Sequence, residues 1–229
     1  MSRRAAQAPG CDTHDMVLVH RVFSREFRLL ADIVEVTSPG DAEQVARVSE
    51  HGREMLNALH HHHGCEDELV WPRLRSAQVD SALVERMRIQ HEEIDAVMRR
   101  VDHELAEWEH QGGTETVDLL VDDLRRLHEI LTEHLRLEED SVLPIVAETL
   151  TESQWAELGK RGMAFLPMSR ALVFLGHIAE EADAREWSQF LSHIPAPIRL
   201  LYRLAGRRGH AREIALLRRD LASAGKVVK

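Results

Sequence analysis

The sequence predicts an all-α fold: an antiparallel up-down-up-down four-helix bundle followed by a C-terminal helical extension. Three observations carry this. Leu, Ala, Glu and Arg are abundant, while β-branched clusters and turn signals are few. Four long segments place apolar residues at alternating steps of three and four, the stripe of a helix that buries one face. One figure also returns at a fixed distance. His62-x3-Glu66 followed by Pro72 recurs as His134-x3-Glu138 followed by Pro144, and all three offsets are 72. The lone histidines His20 and His91 stand 71 apart. Each half of this two-fold repeat therefore brings one lone His and one His-x3-Glu.

At 229 residues and 26.1 kDa the chain fits one domain with an appendage. The expected division is a flexible tail over 1–11, the bundle over 12–148, and a helical extension over 149–229 that packs on it. Formal net charge is −10. Residues 197–229 hold nine Lys/Arg against Glu213 and Asp220, a surplus of +7, so the remainder carries −17. That acidic bulk argues against a nucleic-acid surface. Two cysteines, Cys11 and Cys65, give no disulfide framework and suit a reducing cytoplasm. Met1–Gly10 lacks the apolar run of a signal peptide. The longest apolar run, Ala171–Gly176, is too short to span a bilayer.

Asp12 or Thr13 can cap the first helix, whose stripe is Met16, His20, Phe23, Phe27, Leu30 and Val34. Thr37-Ser38-Pro39-Gly40-Asp41 is a turn that ends in a new cap. The second helix carries Val45, Val48, Gly52, Met55, Leu59, His62, Glu66 and Leu69, and Pro72 should kink or end it. The third starts near Asp80-Ser81 and carries Met87, His91, Ile94, Met98, Val101, Leu105 and Trp108. Gln111-Gly112-Gly113-Thr114 breaks the chain again. The fourth carries Leu120, Leu124, Leu127, Leu131, His134, Glu138 and Val142. Six polar residues thus sit on inward stripes: His20, His62, Glu66, His91, His134 and Glu138. Residues four apart share a helix face, so each His-x3-Glu pair can reach one metal site. An unpaired buried charge is costly, and a shared metal resolves all six at once. Height agrees. Residue 41, in the first turn, lies midway between His20 and His62, and Gly112-Gly113 lies midway between His91 and His134. Short turns make successive helices antiparallel, which brings the four histidines to one level.

Spacing alone proves little. His-x3-acid also occurs at His63/Asp67, His91/Asp95, His103/Glu107 and His177/Glu181, where a solvated helix-surface pair is the default reading. In the run His60–His63 four consecutive residues cannot all point inward. Stripe position selects His62, with His63 the competing choice and His60 and His61 solvated. The ferritin-like plan needs two Glu-x2-His motifs, and only Glu107/His110 fits. Mixed imidazole and carboxylate donors with open positions suit iron or manganese better than structural zinc.

His20, His62-x3-Glu66, His91 and His134-x3-Glu138 resemble the hemerythrin-like (HHE cation-binding) family, and His14-Asp15 ahead of His20 resembles its bacterial members. The resemblance covers roughly residues 12–148. It implies a non-haem centre of two iron ions with an oxo or hydroxo bridge, bridged by Glu66 and Glu138, with His20, His62, His91 and His134 as terminal ligands. The oxygen carriers of the family supply a fifth histidine from an H-x3-H pair on the third helix. Here the residue four after His91 is Asp95. Two octahedral irons need twelve donors. A one-atom bridge, two carboxylates and four histidines leave two positions open, for which Asp95, water or Tyr202 are the alternatives. Two open positions favour chemistry on O2, peroxide or NO, catalase-like turnover included, over clean O2 carriage. A carrier or sensor of O2 or NO, and an iron-homeostasis protein, stay open beside an enzyme.

In the extension, Thr151-Glu152-Ser153-Gln154 opens a short helix through Trp155 and Leu158. An apolar segment follows Pro167 through His177, Pro195 and Pro197 precede a Leu/Arg-rich stretch, and Arg212–Leu221 is amphipathic. Basic residues 197–229 either neutralise the acidic bundle or offer a membrane-surface or protein contact.

Overall fold

The computed structural model describes residues 10–111 and 114–226. The expected tail lies outside the described residues as far as residue 9, and so do Gly112 and Gly113 of the predicted break. The chain is helical, with no strand among the described residues beyond an isolated bridge between Gly10 and Thr151. The backbone N–H groups of Gly10 and Cys11 donate to the carbonyls of Leu150 and Ala147.

Four long helices, α1 (His14–Val36), α2 (Ala42–Leu69), α4 (Ser81–Gln111) and α5 (Thr114–Leu137), form the main body, with a short α3 (Trp71–Ser76) between the second and third. α1 packs against α2 and α5, and α4 packs against the same two. Residue numbers rise on one helix as they fall on its neighbour. Between α1 and α2, His20 meets His62 and Glu26 meets His51. Between α2 and α4, Glu66 meets His91 and Arg53 meets Glu109. Arg100 pairs with Asp123 between α4 and α5, and Arg125 with Glu35 between α5 and α1.

The predicted stripes are the buried faces. Phe23, Phe27, Leu30, Val34, Val48, Leu59, Ile94, Val101, Leu105, Leu120, Leu124, Leu127 and Leu131 share one apolar core. Each such side chain contributes roughly 1.5–3 kcal/mol by leaving water. Gly52 permits close packing within this core: a Cβ there would stand 2.9 Å from a Leu105 methyl and 3.2 Å from a Leu30 methyl. Asp41 caps α2 by accepting from the N–H of Gln44. α2 ends where Pro72 requires, and Pro72 then sits in the first turn of α3.

At the equivalent point of α5 the chain does something the periodicity does not show. Residues Glu138–Val142 form a π-helical turn before α6 (Leu143–Thr149). Pro144 has no N–H, and its ring presses on the carbonyl four residues back. The wider turn relieves this, with the Leu143 N–H returning to the carbonyl of Glu138.

The extension comprises α7 (Glu152–Ala164), α8 (Met168–Glu181), α9 (Ala184–His193), α10 (Ala196–Leu201), a π turn over Tyr202–Gly206, α11 (Arg207–Leu217) and α12 (Arg219–Ser223). Thr151 and Gln154 close a capping box at α7, as its sequence predicts. α9, with its Asp183/Glu186 box, was not anticipated. The predicted helix Arg212–Leu221 divides at Arg218 between α11 and α12. α7 packs on α2, α8 and α12 on α1, and α11 on α8 and α2. Leu200, Leu201 and Leu204 are exposed beside Arg203, Arg207 and Arg208. No single described helix is long and apolar enough to cross a membrane.

Candidate metal centre

All six predicted residues meet at one level of the helical body. His20 comes from α1, His62 and Glu66 from α2, His91 from α4, and His134 from α5, with Glu138 opening the π turn. Five are buried outright and the His62 side chain is 12% exposed. His62 Nε2 lies 3.1 Å from Glu66 Oε1, and His91 Nε2 lies 3.4 Å from Glu66 Oε2. Glu138 Oε2 stands 3.5 Å from His20 Nε2 and 3.8 Å from His134 Nε2. Each carboxylate thus meets the histidine four residues before it and the lone histidine of the other half.

Sequence reasoning treated His62 and His63 as alternatives, and the structure brings both in. His63 is buried, stacks on His91 with ring centroids 4.1 Å apart, and meets His134 edge-on at 5.1 Å. Adjacent helical residues diverge by about 100°, and the stripe of α2 is wide enough to hold both because it faces α1 on one side and α4 on the other. His60 is exposed, and His61 is half-buried with Nε2 against the Arg161 carbonyl. His63/Asp67 and His177/Glu181 are not the solvated pairs their spacing suggests, since His63 and His177 are buried. Asp95 turns away to the exposed His60, at 3.3 Å. Tyr202 packs with Leu172, Leu175 and Trp187 in a separate apolar cluster. Cys65 is buried with Sγ 3.5 Å from His61 Nε2, and burial pushes its thiol pKa up.

The donor atoms fall into two groups able to hold a cation: His63, Glu66, His91 and His134, and His20, His62 and Glu66. Glu66 belongs to both, and Glu138 reaches a histidine of each. Nε2 of His20, His62, His91 and His134, both nitrogens of His63, both oxygens of Glu66 and Oε2 of Glu138 are buried without a hydrogen-bond partner. Buried polar atoms are normally satisfied. Here the orphans converge on one place, as a cation would require. The site residues fit a metal of the imidazole–carboxylate class.

The outward nitrogens of His20, His91 and His134 are already engaged. His20 Nδ1 donates to Glu139 Oε1 at 2.9 Å, and His91 Nδ1 donates to Asp67 Oδ1 at 3.1 Å. Trp71 Nε1 donates to the same Asp67 oxygen at 2.7 Å. His134 Nδ1 lies 3.3 Å from Gln90 Oε1. These contacts fix the tautomer that leaves Nε2 bare toward the centre. Sequence reasoning missed them, although a signal was present: each motif glutamate is followed at once by a second acid.

Electrostatics agree. Burial, reinforced by neighbouring histidines, holds His62 and His63 well below the usual imidazole range and takes His134 to about 2. Burial also opposes charge on His91, but the Asp67 and Glu66 carboxylates beside it lift it to about 9, a proton that a metal would displace. Burial raises Glu66, and burial with the nearby Glu66 raises Glu138 to about 8. Two carboxyls that resist ionisation side by side await a positive charge between them.

A family model, the hemerythrin HHE cation binding domain, matches residues 11–146. No curated protein and no solved structure matches the chain.

Proposed function

The chain belongs to the hemerythrin HHE cation-binding family, and from that premise we propose an antiparallel up-down-up-down four-helix bundle over residues 12–148 that holds two iron ions and binds a small uncharged ligand: O2, H2O2 or NO. One observation carries the reading, the convergence of unpartnered nitrogens and oxygens from all four long helices on one buried place. Residues 149–229 are the helical extension on this bundle.

His63, His91 and His134 would hold one ion and His20 and His62 the other, with Glu66 and Glu138 shared between them. With His63 included, the donor count changes. On the octahedral count applied to the sequence, five histidines, two shared carboxylates and a one-atom bridge would fill eleven of twelve positions and would leave one, beside His20 and His62. That side carries the most exposed ligand, His62, and Phe23 lies 5.3 Å from it with Phe174 behind. Apolar walls admit small neutral molecules and disfavour charged ones. Iron held by these residues would supply redox chemistry and a place for a ligand. One such position supports reversible binding, as in a carrier or sensor, more than turnover of peroxide.

The test is elemental analysis followed by visible spectra of the same sample with NO, peroxide and azide. Two irons per chain with a band that shifts on NO addition and reverses on its removal are expected. Zinc, or iron with a spectrum indifferent to every ligand, overturns the proposal. Sustained O2 release from peroxide replaces binding with catalase-like activity.

A further inference from the structure

A second polar cluster lies where the extension meets α1 and α2, sharing no residue with the centre above. Its floor is Glu26, 1% exposed. Glu26 accepts from Arg25 Nε at 2.8 Å, Arg218 Nη2 at 2.9 Å and His51 Nε2 at 3.0 Å, and His177 Nδ1 lies 3.3 Å away. Two guanidinium groups and two imidazoles already crowd this buried carboxylate, so Glu26 is poorly placed to take a cation itself.

One layer outward two imidazoles are unpartnered at Nε2, bordered by Glu180, which pairs at 3.2 Å with both Arg25 and Arg218 but is 32% exposed on its side chain. The His177 ring faces His210 edge-on, centroids 4.8 Å apart and planes at 84°. Their side chains are 1% and 8% exposed, and Nε2 of each has no hydrogen-bond partner. Glu180 Oε2 stands 4.0 Å from His210 Nε2. The three residues offer donor atoms within 4.8 Å of one another.

We propose that His177, His210 and Glu180 form a second metal site, specific to the extension, for a divalent transition-metal ion of the zinc class.

Four features support it. Two imidazoles and one carboxylate are a donor set zinc accepts with a fourth position left for water. Glu26 faces His177 Nδ1, and a carboxylate there favours the tautomer that bares Nε2. Arg25 Nη2 also lies 3.3 Å from that Nδ1, but its N–H groups are shared with the His177 carbonyl and Glu180. Charge is in surplus: Glu26, Glu180 and Glu181 surround two cations, Arg25 and Arg218. Finally, Gly176 makes room for the ring, since a Cβ there would come within 2.2 Å of His210 Cγ. Burial and the nearby His177 also push the His210 pKa down to about 4, which keeps its nitrogen free for a metal at neutral pH.

The experiment titrates Co2+, a spectroscopic substitute for zinc, into the full chain and into His210→Ala and Glu180→Gln, with iron measured on every sample. Glu180 is partly exposed, so its variant keeps the fold if the histidine variant does not. Wild type should take up one more cobalt than His210→Ala, with a visible d–d band that this variant loses, and Glu180→Gln should bind that cobalt at least tenfold more weakly. Iron content should not change. Because the readout is a difference, it stands whatever metal the bundle centre holds. Equal cobalt uptake in wild type and both variants overturns the proposal.

Discussion

His20 and Glu139, 119 positions apart, are joined by a 2.9 Å hydrogen bond from the imidazole Nδ1 to a carboxylate oxygen. The same bond recurs at His91 and Asp67. In each case the other ring nitrogen, Nε2, faces the glutamate immediately before that acid, Glu138 or Glu66. One half of the repeated sequence therefore orients the histidine of the other.

Glu139→Ala should weaken metal binding by about 10–100-fold while leaving the helix content intact, because the Glu139 side chain is 32% exposed and carries little packing. Asp67→Ala should do the same on the opposite side. Competition against a chelator measures both, and affinities equal to wild type would reduce these acids to surface contacts.

His63→Ala should lower iron content, whereas His60→Ala should leave it at the wild-type level. The two positions lie three apart on one helix, yet one is buried against His91 and the other is 71% exposed on its side chain. Elemental analysis decides, and full occupancy in His63→Ala would show that five histidines are one too many.

Arg218→Ala should destabilise the fold by roughly 1.5–3 kcal/mol, the usual cost of losing a hydrogen bond to a charged group, because Glu26 keeps Arg25 and His51. Arg218 is 7% exposed and bonds Glu26, which is 1% exposed. The double variant Glu26→Gln with Arg218→Met should recover part of the loss. Urea midpoints report both, and a change within about 0.5 kcal/mol in Arg218→Ala would match an ordinary surface position.

Metal-free protein should lose stability between pH 6.5 and 4 through His210. Its folded pKa, about 4, lies below an unfolded value of about 6.5, so in this window the unfolded chain binds more protons. Stability therefore rises with pH across it. The contribution is complete above the unfolded value and lost as pH falls through the folded one, roughly 3 kcal/mol in all. Burial sets this balance first, followed by His177, Glu180, Glu26 and Arg218 around the ring. His210→Leu should flatten that part of the profile, and an unchanged slope would mean the imidazole titrates freely.

The stripes and the 72-residue offset made α1, α2, α4, α5 and six converging side chains legible, because helical periodicity and a repeat are both written in residue spacing. His63 was obscured by its neighbour: one face per helix is too narrow a rule where a helix borders two others. The π turn at Glu138 escaped because periodicity assumes regular hydrogen bonding, although Pro144 marked where that bonding must fail. The His177–His210 pairing joins α8 to α11 across a long sequence gap, and no local spacing encodes it. The room that Gly176 leaves for that ring is equally silent in sequence.

The crossed pairing of Glu66 with His91, and of Glu138 with His20, has a consequence for how such a chain comes apart. Residues 12–72 alone would carry His20, His62, His63 and Glu66, yet His20 would lack both of its acids and Glu66 would lack His91. Neither helical hairpin owns a finished binding place. The centre is an interface, and a metal there acts as a rivet between two halves of one duplicated unit. Losing it should loosen the seam between the hairpins before it unravels either of them.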